Sequence, residues 1–273
     1  MTKTVLITGA AGNIGRKLRA HFTSLGWTLR LLDITDGGDP AITLADLAQW
    51  NDSWAAQFKD VDAAVHLAGD PRPHAPWADI QRANIDLIMN VYEAAARGGA
   101  NRLIFASSNW TVAGHRFETT PLTTDIEPYP INPYGISKLI GERIGRSYSE
   151  RWGLSVICFR IGYNQHDPGN LPGPQMGMGA WGQLMWLSDR DLCQGFEKAV
   201  LAPDSLKFTV INLMSNNPGM RWDLTATEQA IGYVPQDGAP VQQTPAMAAN
   251  TESAERARRL VEAADAFIMA QRW

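Results

Sequence analysis

Tyr134 and Lys138 stand four residues apart, a spacing that puts a phenol and an ammonium on one face of a helix. A neighbouring ammonium favours the phenolate, so a phenol that ordinarily titrates near ~10 can serve as a general base closer to neutrality. Upstream, Phe105-Ala106-Ser107-Ser108-Asn109 ends an apolar run with a hydroxyl able to donate to a substrate oxygen. Each group also has a plain reading, as a solvated pair on a helix surface or as a Ser/Asn turn after a strand. Together they describe a place where a proton is taken from a hydroxyl.

A second constellation lies at the amino end. Gly9, Gly12 and Gly15 follow the apolar run 4–8 and open a helical pattern. A turn without Cβ atoms leading into a helix N-terminus is a cradle for phosphate, because it offers unpaired N–H groups and the positive end of a dipole. The spacing is Gly-x-x-Gly-x-x-Gly, and such a triplet alone can be only a tight turn. Asp33 ends the next strand, 18 residues after Gly15, where its carboxylate can accept both hydroxyls of an adenosine ribose and repel a 2′-phosphate. No Lys or Arg follows in Ile34-Thr35-Asp36, so NAD is expected rather than NADP. Asp46-Leu47 can frame the adenine, or Asp46 can cap a helix. A bound, oxidised nicotinamide would add positive charge beside the Tyr134 phenol.

These groups need a scaffold. Strands are expected at 4–8, 28–32, 42–44, 63–67, 102–106, 155–161 and 208–213, and helices at 16–25, 47–58, 80–97, 133–151, 188–201, 225–231 and from 252. That alternation predicts an α/β fold, a doubly wound parallel sheet of Rossmann type with helices on both faces. Residues 1–162 form the expected nucleotide-binding region. Residues 163–273 supply a small carboxyl-terminal, substrate-binding part interleaved with the same domain. Between them, 162–182 is too rich in Gly and Pro for regular structure and longer than ordinary connections.

The 273 residues carry 28 acidic and 24 basic side chains, without a run of five like charges, so neither nucleic acid nor an anionic membrane is an expected partner. Cys158 and Cys193 are the only cysteines, which excludes a disulfide framework and a zinc-type spacing; no metal is expected. No stretch reaches the ~18–20 apolar residues of a membrane span, and the early strand leaves no room for a secretory leader. A cytoplasmic protein acting on a small molecule is expected.

The set Gly9/Gly12/Gly15, Asp33, Asp46-Leu47, His66-Leu67-Ala68-Gly69, Asn84, Ser107-Ser108, Tyr134/Lys138 and Arg160-Ile161-Gly162 resembles the short-chain dehydrogenase/reductase superfamily. The likeness is to its extended branch of NAD-dependent epimerases, dehydratases and dehydrogenases, and it covers most of the chain. It implies that Tyr134 is the acid/base, that Lys138 binds the nicotinamide ribose and lowers the phenol's pKa, and that Ser108 orients the reacting hydroxyl or carbonyl. It further implies cofactor contacts from Gly9, Gly12, Asn13, Ile14, Asp33, Asp46, Leu47, Leu67, Ala68, Gly69, Asn84, Ser107 and Ile161. Substrate contacts would come from Ser108, Asn109, Trp110, Tyr163 and Trp181. A homodimer or higher homo-oligomer through helices 80–97 and 133–151 is implied as well.

Within that branch, Ser-Ser-Asn at 107–109, Arg-Ile-Gly at 160–162, Trp186-x-Ser188 and Trp222-Asp223 are similar to bacterial uronate dehydrogenases, which oxidise the anomeric carbon of a free hexuronic acid. This chain departs where substrate is gripped: Trp110 replaces a His, Pro71 a Ser, and Trp181 falls where an Arg would hold the carboxylate. The resemblance therefore implies an NAD-dependent dehydrogenase of a sugar or sugar acid. An epimerase or dehydratase using NAD transiently, and a catalytically silent NAD sensor, stay open as alternatives. Trp110, Trp181 and Trp186 can form an aromatic wall under a lid made by 162–182, or be core residues beside an ordinary loop. His74, His115, Arg72 and Arg116 are candidate polar contacts or solvated loop side chains.

Overall fold

The computed structural model describes residues 2–166 and 169–270; Asp167 and Pro168 of the long loop, and positions 1 and 271–273 of the two expected regions, lie outside them. Short apolar runs form the strands β1 (Thr4–Thr8), β2 (Thr28–Asp33), β3 (Ile42–Leu44), β4 (Ala63–His66), β5 (Arg102–Ser108), β6 (Ser155–Ile161) and β7 (Phe208–Leu213). They pair in parallel in the order β3-β2-β1-β4-β5-β6-β7, the doubly wound sheet expected from the alternation. The order reverses between β1 and β4, which opens a crevice at the carboxyl edge.

Alternation along each strand divides the core. Val5, Ile7, Ile104 and Phe159 face one side, against Leu18 and Phe22 of α1 (Asn13–Ser24) and Leu192 and Phe196 of α7 (Asp189–Val200). Leu6, Ala64, Phe105 and Cys158 face the other, against Trp54 of α2 (Asp52–Ala55), Phe58, and Ile88, Val91 and Tyr92 of α4 (Leu87–Gly98). Burial on both faces explains why these strands read as nearly continuous apolar runs. A third cluster of Val112, Leu122, Trp181, Met185, Met214 and Trp222 lies apart from both.

Several elements differ from expectation. The helix expected at 47–58 is reduced to α2 and one 3₁₀ turn, because Asp46 and Asn51 accept from the N–H groups two residues on and turn the chain there. The helix expected at 80–97 begins with α3 (Trp77–Ile80) and passes through a π-helical stretch, Gln81–Asp86, before α4. β5 runs on to Ser108 and is followed by a 3₁₀ segment, Asn109–Phe117. The loop 162–182 contains the start of a short helix, α6 (Gly179–Leu184). Beyond α8 (Thr225–Ile231), the terminal helix α9 spans Pro245–Ala270 rather than starting at 252. Among the described residues, no helix is long and apolar enough to cross a membrane.

The helix carrying Tyr134 and Lys138, α5 (Pro133–Trp152), starts where Asn132 accepts from Gly135 N at 2.7 Å, with Pro133 in its first turn. It lies hard against β5: a Cβ on Gly141 would stand 2.4 Å from the Phe105 ring. That contact fixes the height of the helix over the strand ending in Ser108.

Candidate active site

At the β1 end, Gly9 has φ +71°, and a Cβ there would come within 2.7 Å of Ala68 N; a Cβ on Gly15 would meet Gly9 O at 2.2 Å. Both positions demand glycine. Gly12 caps α1 without a side chain, and the first turn holds no acid, so the N–H groups of Asn13 and Ile14 and the dipole's positive end face outward undiminished. Asp33 accepts from Ala11 N at 2.9 Å and Thr35 N at 3.3 Å, which pins it to the glycine turn and leaves lone pairs for ribose hydroxyls. Leu67 and Ala68 are half-buried and Gly69 exposed along the crevice. Cradle, dipole and carboxylate thus fit a dinucleotide.

Across the crevice, Ser108 ends β5 in register with Ile161 of β6. Lys138, only 6% exposed, sets its Nζ 5.5 Å from the Tyr134 ring centre and 5.2 Å from that of Phe105. Burial alone pushes the Lys138 ammonium down to about 8. The phenol behaves oppositely to the simple expectation. Burial pushes Tyr134 up to about 12, and the Asp70 carboxylate adds to this, while interaction with the Ser108 hydroxyl pulls it down. The i,i+4 ammonium does not overcome desolvation, so a further positive charge is needed to bring the phenol toward neutrality. His66, also buried, is held neutral with its pKa down to about 3 by burial and by Lys138, and its Nδ1 lies 2.7 Å from the Thr8 hydroxyl.

Beneath these groups is a buried ion pair that sequence reasoning missed. Glu142, four residues after Lys138, accepts from Arg160 Nε and Nη2, both at 3.0 Å, and from the Ser107 hydroxyl at 2.6 Å. Both charged side chains are at most 4% exposed. The carboxylate thus ties α5 to the ends of β5 and β6. Its i,i+4 relation to Lys138 was the available signal.

The other sequence-derived residues fall into two groups. Asn109, buried, donates to Ile161 O at 3.1 Å and leaves its Oδ1 without a partner. Half-buried Trp110 donates through its backbone to Ser108 Oγ, and half-buried Tyr163 follows β6 and donates its N–H to Met185 O at 2.6 Å. Others are committed elsewhere. The Ser107 hydroxyl serves Glu142. The Asn84 amide braces Asp70, accepting from its backbone N–H at 2.7 Å and donating to its backbone carbonyl at 3.2 Å, and donates to Ser137 Oγ at 3.1 Å. Leu47 is core, and Asp46 caps Ala48 N and pairs with Arg82, which favours the capping reading over an adenine frame.

The aromatic wall does not form as such. Trp181 is buried against Trp222, with ring centres 4.6 Å apart, and buried Trp186 spends its indole N–H on Asn170, so both are core residues. The described part of 162–182 is tied to its surroundings: Asn170 donates to Leu187 O and Asp189, and Asn13 donates to Asn164 and Gln165. His74 is exposed, Arg72 pairs with Asp70 and Asp79, and His115 bonds Glu118 and the Glu127 carbonyl.

A glycine cradle and a Ser-Tyr-Lys cluster facing each other across one crevice mark a nucleotide-dependent oxidoreductase site. The chain belongs to the NAD dependent epimerase/dehydratase family, whose sequence profile matches residues 5–165. It is 34% identical to an NAD-dependent glucose-6-phosphate dehydrogenase of Haloferax volcanii, over 87% of this chain and 94% of that protein. It is 33% identical to a uronate dehydrogenase of Pseudomonas putida, over 91% of each. Its fold matches a uronate dehydrogenase variant from Agrobacterium tumefaciens complexed with NAD, at TM-score 0.73 and 30% identity, over 87% of this chain and 86% of that one.

Proposed function

We propose that the chain is a dehydrogenase that removes a hydride from a hydroxyl of a sugar or sugar acid, with Tyr134 as general base. The observation that carries this reading is the convergence of Ser108, Tyr134 and Lys138 at the sheet's carboxyl edge, opposite the glycine cradle. Gly9, Gly12, Asn13 and Ile14 would hold the pyrophosphate and Asp33 the adenosine ribose, with Leu67, Ala68, Gly69 and Ile161 lining the rest. When bound there, NAD would supply a hydride acceptor and, in its oxidised ring, the positive charge that the buried phenol lacks. The Ser108 hydroxyl orients the substrate oxygen, the Lys138 ammonium stabilises Tyr134 as the phenolate, and that phenolate takes the substrate's hydroxyl proton and becomes the neutral phenol. Asn109, Trp110 and Tyr163 would touch substrate, and Trp181 would shape the pocket from behind.

The relatives that are 32–34% identical over 85–91% of the chain are dehydrogenases, which supports dehydrogenation over epimerisation of a nucleotide sugar. Residues 163–273 would form the substrate-binding part. Met89 on α4 and Ile136 and Trp152 on α5 are exposed, which supports a homo-oligomer through these helices. Two cysteines without a disulfide suit the cytoplasm. The test is NADH formation across uronic acids, aldoses and polyols. Turnover of a sugar is expected; no NADH from any of them would overturn the reading.

A further inference from the structure

Arg116 lies in the last turn of the 3₁₀ segment that begins beside Ser108. One guanidinium nitrogen donates to Met178 O at 3.1 Å, which leaves most of its donors free. Gly177, the residue before Met178, lies close enough to Tyr163 that a Cβ would stand 3.5 Å from its hydroxyl, which places the Arg116–Met178 contact one residue from the neighbourhood of Tyr163. Arg221 donates to the carbonyls of His115 and Arg116, at 2.8 and 3.3 Å, and to Thr120 O at 2.9 Å; its guanidinium lies 5.2 Å from the Trp181 ring centre. Both arginines are half-buried, and neither forms an ion pair among the described residues. The nearby carboxylate, Glu118, is engaged by His115 at 2.9 Å.

Two neighbouring half-buried cations, with the Glu118 carboxylate near Arg221, carry a desolvation cost and an excess of positive charge that a bound anion would offset. Burial lowers the pKa of both, in agreement with that cost. The surroundings are rich in donors that lack acceptors. Trp222, packed on Trp181, buries its indole N–H without a partner. So does Nε of Arg258, whose Nη1 pairs with Glu262 and whose guanidinium lies 5.6 Å from the Phe117 ring centre, with that of Arg116 at 5.3 Å from it.

We propose that Arg116 and Arg221 form an anion subsite at the end of the pocket remote from Tyr134, where they bind a carboxylate or phosphate carried by the sugar. Arg116 supplies the hydrogen bonds, and Arg221 supplies charge and fixes the Arg116 backbone. Trp181, which stands where the resemblance would place an arginine, instead presents its ring to Arg221. The proposal rests on the dehydrogenase reading, and it narrows the substrate to an anionic sugar.

The test compares glucuronate, glucose 6-phosphate and glucose as substrates of the wild type and of Arg116→Gln, whose amide can still donate to Met178 O. One of the two anionic sugars is expected to exceed glucose in kcat/KM, and which one it is distinguishes carboxylate from phosphate. Arg116→Gln should lower that value roughly 10–100-fold, mainly through KM, as expected for a lost charged hydrogen bond, while changing glucose turnover less than about threefold. An equal loss for glucose, or a wild type that prefers glucose, would overturn the subsite and leave the dehydrogenase reading standing. If no sugar is oxidised, that reading fails, and inorganic phosphate titrated against the NADH-loaded protein decides the subsite by tryptophan fluorescence. Saturable binding lost in Arg116→Gln supports it; no binding overturns it.

Discussion

The crevice has two sides built by different means. Over β1, β2 and β4 the recognition groups are mostly backbone: glycines that admit close approach, the uncapped first turn of α1, and one carboxylate fixed by two N–H groups. Over β5, β6 and β7 the proposed groups are side chains drawn from α5, the 3₁₀ segment and the stretch around 221, backed by a buried ion pair and an aromatic cluster. A backbone cradle recognises a phosphate whatever the rest of the ligand is. A side-chain pocket changes its ligand with each substitution, so the first side suits a shared cofactor and the second a particular substrate.

That contrast can be broken from either side. The largest effect is expected from Glu142→Ala, which strands Arg160 as an uncompensated buried charge and should cost about 3–5 kcal/mol in denaturant unfolding. Loss below about 1 kcal/mol would mean that the two halves of the site are not tied through this carboxylate. Next, Asp33→Ala should weaken NAD by roughly 10–100-fold in a direct binding titration, the range of a lost charged hydrogen bond. Adding an arginine at Ile34 should then favour NADP; unchanged preference would remove Asp33 from the ribose site.

A smaller effect concerns Lys138 without cofactor. Its folded pKa of about 8 lies below the ordinary lysine value of ~10.4, so below pH 8 the buried ammonium opposes folding in full. As pH rises from about 8 to ~10.4 the folded form sheds the proton first and the opposition fades. Lys138→Met should therefore raise stability at pH 7 by about 1–3 kcal/mol, and the gain should shrink across that window. A pH-independent gain would place the ammonium in a solvated setting.

The same division decides how much the sequence discloses. Gly9, Gly12, Gly15 and Asp33 fall within one strand-helix-strand unit, so local spacing fixes their relative places and the residues read as a cradle from the order of the chain alone. Tyr134 and Lys138 are legible through helical periodicity, yet the sign of the phenol's shift is not, because desolvation depends on what packs around it. Glu142–Arg160, Asn84–Ser137 and Arg116–Arg221 are contacts made by chain folding: Asn84, Arg160 and Arg116 stand out singly in the sequence, but their spacing does not announce the partners. The tryptophans mislead for the same reason. Trp181 and Trp186 suit a wall by type, and only packing shows them spent in the core. Asn51 and Asp46 shortened the expected helix at 47–58 through local side-chain capping.

The claim that the buried phenol is the base is tested most directly by Tyr134→Phe, with NAD binding and NADH formation measured on the same preparation. NAD affinity should be kept while turnover falls by a factor on the order of 10²–10⁴, the share attributed to general base catalysis. A Phe variant that retains full turnover would contradict it.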